Sequence, residues 1–489
     1  MDYIIVGAGP SGLALAWYLS QENKKVLLID KEKSIGGCHR VQYVNGLFTE
    51  HGPRVYSDSY LNFIEILNEM NLDFNTIFTP YNVDISKIGD KDKKDLSFRE
   101  KFHFGLAMIK LTINPIYGQD TSVMQFMQNN NFSDESIDYI ERVCRLTDGA
   151  EASRYTVFQF LQLMNNQGLY NLYQPTLPND EGLLKYWENK LKETKMVTFL
   201  LNNEVVSLNP TSNKINSITV RNRLSNQTRT LQAKNYILAI PPKPLNTLTP
   251  NMAFGDLSKW SADNSYFEYL PVTLHWTKKL EFPEIWGFPA SDWGLAFIIL
   301  SNYMTFSNEY KTVISSCITF TDRKSRYTNK TANESSLNEI YVEVIRQLRL
   351  AYAELPNPDK IIMSPQVYKS SGDSSDKSSG DPGKWINIDT AYVVTTENEF
   401  LPFTSQQYNN LYNCGCHNGK SNYHFTSMES AISNSLALFN KLEPNAANKR
   451  YMKEYRQISN YIRIGLVLIM IIFSIMWYGY KYNILKNKI

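Results

Sequence analysis

A strand, a glycine-rich turn and a helix follow one another at the start of the chain, and this unit restricts the possible folds more than any other feature. Residues Tyr3 to Val6 are apolar, residues Gly7 to Gly12 read GAGPSG, and Leu13 to Leu19 continue with small and apolar side chains. In such a unit the first glycine permits a tight turn, the second lets the backbone approach a pyrophosphate, and the third lets the helix pack closely on the strand. The sequence therefore predicts an α/β nucleotide-binding sheet in which a helix N-terminus faces an anion.

The second strand is predicted to end in a carboxylate at the position that a dinucleotide-binding unit requires. Lys25 to Ile29 is predicted to form this strand, and Asp30 follows Gly12 by eighteen residues. A carboxylate there can accept hydrogen bonds from the hydroxyls of an adenosine ribose. The alternative, a strand-end carboxylate that is only solvated, fits the complete unit around it less well.

Two further motifs bear on whether the dinucleotide is NAD or FAD. They are Ile35 to Arg40 (IGGCHR) and Gly46 to Arg54 (GLFTEHGPR). Together they resemble the superfamily of flavin amine oxidases, protoporphyrinogen oxidases and phytoene desaturases. The resemblance implies that the double glycine wraps the pyrophosphate of FAD and that the Gly-Pro segment passes the flavin ring. Ile35 to Arg40 also resembles the corresponding turn of UDP-galactopyranose mutases.

The resemblance continues in the same order along the chain. Asn203 to Val206 is similar to the family's adenine-contacting strand, and Tyr236 to Pro242 is similar to its returning strand with a double proline. Leu411 to Gly415 and Ser427 to Ile432 are similar to its last strand and to the helix whose N-terminus faces the flavin pyrimidine, where it would stabilise the negative charge of reduced flavin. The residues expected to contact FAD are Gly7, Gly9, Pro10, Ser11, Gly12, Asp30, Lys31, Gly36, Gly37, His39, Arg40, Gly52, Pro53, Arg54, Val205, Gly415, Ser427 and Met428.

Two positions depart from the family pattern. Cys416 follows Gly415 where members often have glutamate, and Cys38 follows the double glycine where members often have arginine. These departures leave the FAD prediction intact but leave the subfamily open.

The cysteines and histidines near the last motif suggest a different chemistry. Cys414, Cys416, His417 and His424 carry zinc-ligating atoms, but Cys-x-Cys-His is not a common structural spacing and it coincides with the flavin motif. No metal site is therefore predicted. Hydride transfer to a flavin often needs positioning more than an acid or base, so no catalytic residue is assigned.

The motifs divide the chain into interleaved domains. A discontinuous Rossmann-type FAD-binding domain is expected to comprise residues 1–60, 196–250 and 385–445. An inserted α+β substrate domain is expected to comprise residues 61–195, which are mostly helical in pattern, and residues 251–384. Strands of a second sheet are predicted at Leu270 to Trp276, Leu295 to Leu300 and Thr312 to Thr321.

The C-terminal end has the composition of a membrane anchor. Residues 464–480 contain no charged side chain and lie between Arg463 and Lys481, with Trp477 and Tyr478 near the end as an interfacial belt. This pattern predicts a short transmembrane helix, and a buried core helix is the alternative. The basic juxtamembrane segment, residues 446–463, would form either a solvated helix face or a contact with anionic headgroups.

Whole-chain composition limits the partners. Lys and Arg number 50 against 48 Asp and Glu, a formal charge of +2, so nucleic acid is not expected as a partner. Five cysteines in 489 residues are too few for a disulfide framework, and the N-terminus has no basic region of a secretory signal. We expect a single-pass C-terminal anchor with the catalytic domain in the cytosol, while the oligomeric state stays open.

The resemblance implies a membrane-anchored FAD-dependent oxidoreductase that oxidises a C–N or C–C bond of a small substrate by hydride transfer to flavin. Membrane anchoring favours a hydrophobic substrate. A second glycine fingerprint after a strand is absent from the sequence, which argues against enzymes with two nucleotide sites. Two alternatives are a non-redox flavin-dependent isomerase or mutase and an FAD-containing scaffold or binding protein.

Overall fold

The structure is a computed structural model that describes residues 1–81, 96–249, 253–261, 266–282, 291–370, 383–388, 391–392, 400–454 and 458–486. Its helices are α1 Pro10–Gln21, α2 Leu61–Glu69, α3 Phe74–Ile77, α4 Phe98–Ile113, α5 Val123–Asn129, α6 Asp134–Asp148, α7 Val157–Leu169, α8 Leu183–Glu193, α9 Pro242–Leu248, α10 Leu257–Ser261, α11 Leu337–Ala351, α12 Met428–Leu442 and α13 Ile458–Lys486. Its strands are β1 Tyr3–Val6, β2 Val26–Ile29, β3 Val41–Val44, β4 Leu47–Glu50, β5 Tyr56–Ser57, β6 Phe78–Pro80, β7 Leu172–Pro175, β8 Val197–Leu200, β9 Asn203–Thr211, β10 Lys214–Asn222, β11 Thr228–Leu231, β12 Asn235–Leu238, β13 Tyr266–Phe267, β14 Leu270–Trp276, β15 Leu295–Ile299, β16 Thr312–Ile318, β17 Lys360–Met363, β18 Val367–Lys369, β19 Trp385–Asn387, β20 Ala391–Tyr392 and β21 Leu411–Asn413.

A five-stranded parallel sheet with the order β21-β12-β1-β2-β8 confirms the predicted α/β fold. The central strands are buried along their whole length, as parallel strands covered on both faces require. In the register, Ile5 of β1 pairs with Ile237 of β12 on one side and with Leu28 of β2 on the other. Strands far apart in sequence therefore build one sheet, and their carboxyl ends meet at one edge.

The helical insert and the sheet share one hydrophobic core. Helices α1 and α12 pack against each other, and the same core continues through the aromatic side chains of Phe63, Phe78 and Trp187. Phe63 and Trp187 stack with ring centroids 6.3 Å apart. The insert is thus packed against the nucleotide-binding unit.

A four-stranded antiparallel sheet with the order β15-β16-β14-β17 forms the second half of the molecule. Strand β14 has the predicted bounds, while β15 and β16 end before the predicted ends at Leu300 and Thr321. Strand β19, which begins at Trp385, pairs with β18, and Trp385 packs in the core of this second sheet. The last strand of the nucleotide-binding sheet is β21, Leu411–Asn413, which lies where the sequence resembles the family's last strand.

The basic segment before the last helix is partly tied to the globular body. Arg450 donates to both carboxylate oxygens of Glu69 at 2.9 and 3.2 Å, and its guanidinium lies 5.3 Å from the ring centroid of Tyr18. Lys453 forms an ion pair with Glu65 at 2.6 Å. These two cations therefore attach the tail to α1 and α2, whereas the sequence offered only solvent or lipid as their surroundings.

Helix α13 extends beyond the predicted span at both ends. Within the described part of the chain, the stretch from Asn460 to Tyr478 is long and apolar enough to cross a membrane. Its side chains are exposed, among them Phe473 and Trp477. The rest of the described chain therefore leaves this stretch uncovered, whereas a core helix would be covered by protein.

Candidate functional site

The first glycine-rich turn lies at the carboxyl end of β1, where α1 begins with Pro10. The Gly7 amide donates to the Ile29 carbonyl oxygen at 2.7 Å, which holds the turn against the end of β2. A Cβ atom at Gly12 would lie 1.9 Å from the Gly7 carbonyl oxygen. The close approach of α1 to β1 therefore requires glycine at position 12.

At Gly9, in contrast, an added Cβ atom would make only an ordinary van der Waals contact. Its backbone is extended, with φ −79° and ψ −179°, and an added Cβ would find the Gly37 Cα at 3.7 Å as its nearest neighbour. The double-glycine turn is held beside it, because the Gly36 amide donates to the Ala8 carbonyl oxygen at 2.8 Å. The two turns form a cradle of bare backbone at the N-terminus of α1, and this cradle fits the pyrophosphate of FAD.

Asp30 lies at the end of β2, beside the same turn. Its Oδ2 accepts from the Ala8 amide at 2.7 Å and its Oδ1 accepts from the Glu32 amide at 2.9 Å. Burial raises the pKa of this carboxyl, and the two amides and the charge of Arg40 act in the opposite direction. Each oxygen keeps a further lone pair, so Asp30 can also accept from ribose hydroxyls. The Lys31 side chain is exposed.

Val205 lies on β9, which runs from the same corner of the molecule. The Asn203 amide at the start of β9 donates to the Asp30 carbonyl oxygen at 2.9 Å. Val205 is buried and pairs with Val220 of β10. This hydrogen bond places the start of the expected adenine-contacting strand next to Asp30, the expected ribose-binding residue.

The N-terminal part of α12 packs beside α1 and contacts the glycine-rich turn. Ser427 caps this helix, because its hydroxyl accepts from the backbone amide three residues later at 3.0 Å, and Met428 is buried next to it. The Ser11 hydroxyl donates to a backbone carbonyl of α12 at 3.4 Å. The Gly415 carbonyl at the end of β21 accepts from Asn434 of α12 at 2.8 Å.

A second group of the expected residues lies where the first half of the chain meets the antiparallel sheet. His39 Nδ1 lies 3.0 Å from the Tyr56 hydroxyl, and the His39 carbonyl accepts from Asn179 Nδ2 at 3.1 Å. The Arg54 guanidinium donates to the Cys38 carbonyl. Burial, together with the nearby positive charge of Arg54, holds the pKa of His39 well below its ordinary range. His39 is therefore a neutral hydrogen-bonding group.

The remaining expected residues are Arg40, Gly52 and Pro53. Arg40 and Gly52 are buried, and Pro53 is half-buried. The segment after Pro53 is fixed to the insert, because Gln174 Nε2 donates to the Arg54 carbonyl at 2.6 Å. The structure therefore brings the expected residues into two adjacent groups, one at the sheet edge and one around Arg54.

A narrow cavity of about 10 Å³ lies beside this second group. Its lining contains both apolar and polar side chains. The lining residues are Val41, Phe48, Glu50, Arg54, Tyr56, Gln174, Pro175, Asn179, Leu300 and Met304.

Glu50 is the acidic residue of this cavity. Its Oε1 is buried and has no hydrogen-bond partner within the described part of the chain. Burial raises the pKa of Glu50 to about 7, although a hydrogen bond with Ser315 and the charge of Arg54 act in the opposite direction. The next residue, His51, contacts the Tyr269 hydroxyl, and burial keeps its pKa well below the ordinary value. Glu50 is thus a buried acid that can change protonation near neutral pH.

Four residues of this region were not among those expected from the sequence, namely Tyr56, Gln174, Asn179 and Glu50. Glu50 lies within the recognised motif Gly46 to Arg54 and Tyr56 lies two residues after it, so their position in the chain was a usable signal. Gln174 and Asn179 belong to the insert and meet Arg54 and His39 only through the fold.

The cysteines and histidines near β21 have protein partners. Cys414 Sγ lies 3.3 Å from the Ser435 hydroxyl, and the two ring nitrogens of His417 lie 3.0 Å from the Tyr392 hydroxyl and 2.9 Å from Asn413 Oδ1. Among the residues that the structure describes, no three histidine, cysteine or acidic side chains are grouped to hold a metal ion. These contacts make Cys414 and His417 structural.

The sequence and fold were compared with known proteins. The model of the family described as flavin containing amine oxidoreductase matches residues 10–436. A UDP-galactopyranose mutase of Mycoplasma genitalium is 32% identical over 159 residues, which cover 28% of this chain and 39% of the mutase. The human all-trans-retinol 13,14-reductase is 24% identical over 187 residues, which cover 36% of this chain and 28% of the reductase. The chain therefore aligns with well under half the length of these curated relatives.

The architecture is similar to that of solved flavoenzymes. A structure of putrescine oxidase bound to putrescine superposes with a TM-score of 0.61 and covers 91% of this chain and 99% of the oxidase, at 15% sequence identity. At that identity the likeness shows a shared fold. It covers both halves of the molecule, the nucleotide-binding unit and the antiparallel sheet.

Proposed function

The chain belongs to the family of flavin containing amine oxidoreductases, and on that premise we propose that it is a membrane-anchored enzyme that oxidises a C–N or C–C bond of a small hydrophobic substrate. As a member of this family it is an FAD-dependent oxidoreductase. Beyond the family assignment, we propose the substrate class, the membrane attachment and the roles of individual residues. The observation that carries it is the bare backbone cradle between Gly9 and Gly37, beside the half-buried Asp30.

In this proposal the chain's own residues at the sheet edge would hold FAD. The backbone at Gly9 and Gly37 would contact the pyrophosphate, Asp30 would accept from the ribose, and the N-terminus of α12 would face the pyrimidine. When bound, FAD supplies a two-electron acceptor for hydride.

The surroundings of Arg54 support the chemical side of the proposal. Phe48, Leu300 and Met304 line the cavity there, whose volume of about 10 Å³ is that of a single water molecule, so the neighbourhood of Glu50 is largely apolar. We assign to Glu50 Oε1 the role of proton acceptor, because it is buried, unpartnered in the described structure, and has a pKa near neutrality. The positive charge of Arg54 favours the carboxylate form of Glu50, which is the form that accepts the proton.

Glu50 should make the stability of the protein pH-dependent. The pKa of Glu50 is about 7 in the folded chain and 4.5 ordinarily, so the folded state binds the proton more tightly. Its contribution to stability is therefore fully present below pH 4.5 and is lost as pH rises through 7, a loss of about 3 kcal/mol. We expect thermal unfolding curves from pH 4.5 to 8 to show this decline and the Glu50→Gln variant to lack it. Parallel profiles for both proteins would contradict the assignment.

Helix α13 supports the membrane attachment. Its apolar stretch from Asn460 to Tyr478 is exposed along its length, which is unfavourable in water and favourable in a lipid bilayer. In this proposal the globular body stays on the cytosolic side. Arg450 and Lys453 hold the body next to the start of the helix.

The function is tested with the full chain purified in detergent. We expect flavin absorbance bands near ~450 nm, release of FAD on acid precipitation, and anaerobic bleaching when amines, polyenes or porphyrinogens are offered one at a time. Bleaching without an added reductant would identify both the oxidase activity and its substrate class. A flavin that is bound but is not reduced by any of them would favour a scaffold or binding protein.

A second candidate is a flavin-dependent mutase. The identity with the Mycoplasma genitalium UDP-galactopyranose mutase over 159 residues favours it. In that case the protein would act only after an external reductant such as dithionite had reduced the flavin. Turnover of UDP-galactopyranose by pre-reduced protein, with no net oxidation, would replace the oxidase proposal.

A further inference from the structure

Helix α4 has two apolar faces, and one of them is turned away from the protein. The buried face includes Phe104, Met108 and Leu111, which pack in the main core. The opposite face carries a row of exposed side chains in which Phe98 is 86% and Ile113 is 77% accessible. We call this row the α4 stripe; it consists of Phe98, Phe102, Leu106, Ile109, Ile113 and Ile116.

The spacing of the stripe explains why its members form one surface. Its four-, four-, three- and four-residue steps from Phe98 to Ile113 return to nearly the same side of a helix that turns 100° per residue. Single exposed apolar side chains are normal in soluble proteins, but a continuous row over four turns of helix is a patch that marks an interaction surface.

The stripe adjoins the start of the proposed membrane helix. Helix α13 packs against α4, and Arg463 Nε donates to the Thr112 carbonyl oxygen in the last turn of α4 at 2.9 Å. Ile464, the next residue after Arg463, belongs to the exposed apolar series of α13. The C-terminal end of the stripe therefore lies where the anchor would enter the bilayer.

Basic and polar groups flank the stripe on one side. Arg99 and Lys110 are exposed and lie next to it in the helical rotation. Lys110, His103 and Tyr117 line a groove of about 220 Å³ beside Leu106, and the Lys110 ammonium lies 5.5 Å from the Tyr117 ring centroid. An apolar face bordered by cations is the composition of helices that lie in the membrane interface.

We propose that α4 lies in the interfacial region of a lipid bilayer, with the stripe in the acyl boundary and Lys110 at the level of the headgroups. This proposal rests on the membrane attachment proposed above. Phospholipid phosphates would supply counter-charges to the cations at the edge of the stripe, and the stripe adjoins the proposed anchor, so a bilayer is the occupant that we propose rather than a second copy of this chain. Two attachments, α13 and α4, would fix the orientation of the globular body on the membrane.

The test is photo-crosslinking of the full chain reconstituted in phospholipid vesicles. The photoreactive residue p-benzoylphenylalanine replaces Phe102 or Ile109 on the stripe, Phe473 on α13, or, as an exposed control remote in sequence, Tyr327, which is 75% accessible. Mass spectrometry then quantifies phospholipid adducts at each site. We expect adducts at Phe473, and adducts at Phe102 and Ile109 about tenfold above those at Tyr327.

The outcomes separate this inference from the membrane proposal. Lipid adducts at Phe473 with only the Tyr327 level at Phe102 and Ile109 would overturn the α4 inference and leave the anchor intact. Protein-to-protein adducts at Phe102 would also overturn it, by showing that a second copy covers the stripe. A lack of lipid adducts at Phe473 would refute the anchor itself, and the α4 inference with it.

Discussion

Replacing Gly9 with valine should remove FAD from the protein while leaving the chain folded. The backbone at Gly9 is extended, a conformation that valine adopts readily, and an added Cβ is 3.7 Å from the nearest protein atom. The added Cβ therefore meets no clash in the protein, and the side chain lies in the cradle where the pyrophosphate is proposed to approach the backbone. We expect FAD affinity to fall by at least about 100-fold, measured by flavin content and by equilibrium dialysis.

Two other glycines provide matched controls for this substitution. Gly105→Val on α4 adds the same side chain where an added Cβ meets no atom within 4 Å, and it should keep full flavin content. Gly12→Val should instead fail to fold, because its Cβ would lie 1.9 Å from the Gly7 carbonyl oxygen. A Gly9→Val protein that retains stoichiometric FAD would show that the cofactor binds elsewhere.

The sequence predicted those parts of the fold whose signals are local. Strand β1, the turn after it and the whole of β14 matched their predicted positions, because each is a short run of apolar residues bounded by turn residues. Trp385 was placed within the range 385–445 of the FAD-binding domain, but its strand pairs with β18, because the partner of a short strand is selected by tertiary contacts.

The candidate site also has one part that could be predicted from local sequence and one part that could not. The cradle at Gly9 and Asp30 could be predicted, because its residues lie within one βαβ unit. The cavity could not, because Gln174 and Asn179 reach Arg54 and His39 from more than a hundred residues away. The stripe on α4 could not be predicted either, since a helix with two apolar faces gives no clear periodic signal.

Glu429→Ala should be among the most destabilising single substitutions in the chain. Glu429 lies in the first turn of α12, and its buried carboxylate accepts from the backbone amides of Asn62 at 3.1 Å and Phe63 at 3.0 Å. These amides are in the first turn of α2, where the helix itself offers no acceptor and the capping residue Tyr60 makes no side-chain hydrogen bond. Alanine would leave both amides buried and unpaired, at a cost of about 3 to 5 kcal/mol.

The size and the pH dependence of the stability loss in Glu429→Ala distinguish the loss of a helix cap from the loss of an exposed charge. Burial raises the pKa of Glu429 to about 6, so its stabilising contribution is fully present below pH 4.5 and declines as pH rises through 6. Denaturant unfolding of Glu429→Ala should therefore lack that decline, and Glu429→Gln, which keeps one acceptor oxygen, should lose about half as much stability. The exposed Glu135→Ala on α6 should change stability by less than about 0.5 kcal/mol. Equal losses for Glu429→Ala and Glu135→Ala would refute the capping role, whereas the expected difference would show that one carboxylate joins α12, at the proposed flavin end, to the helical insert.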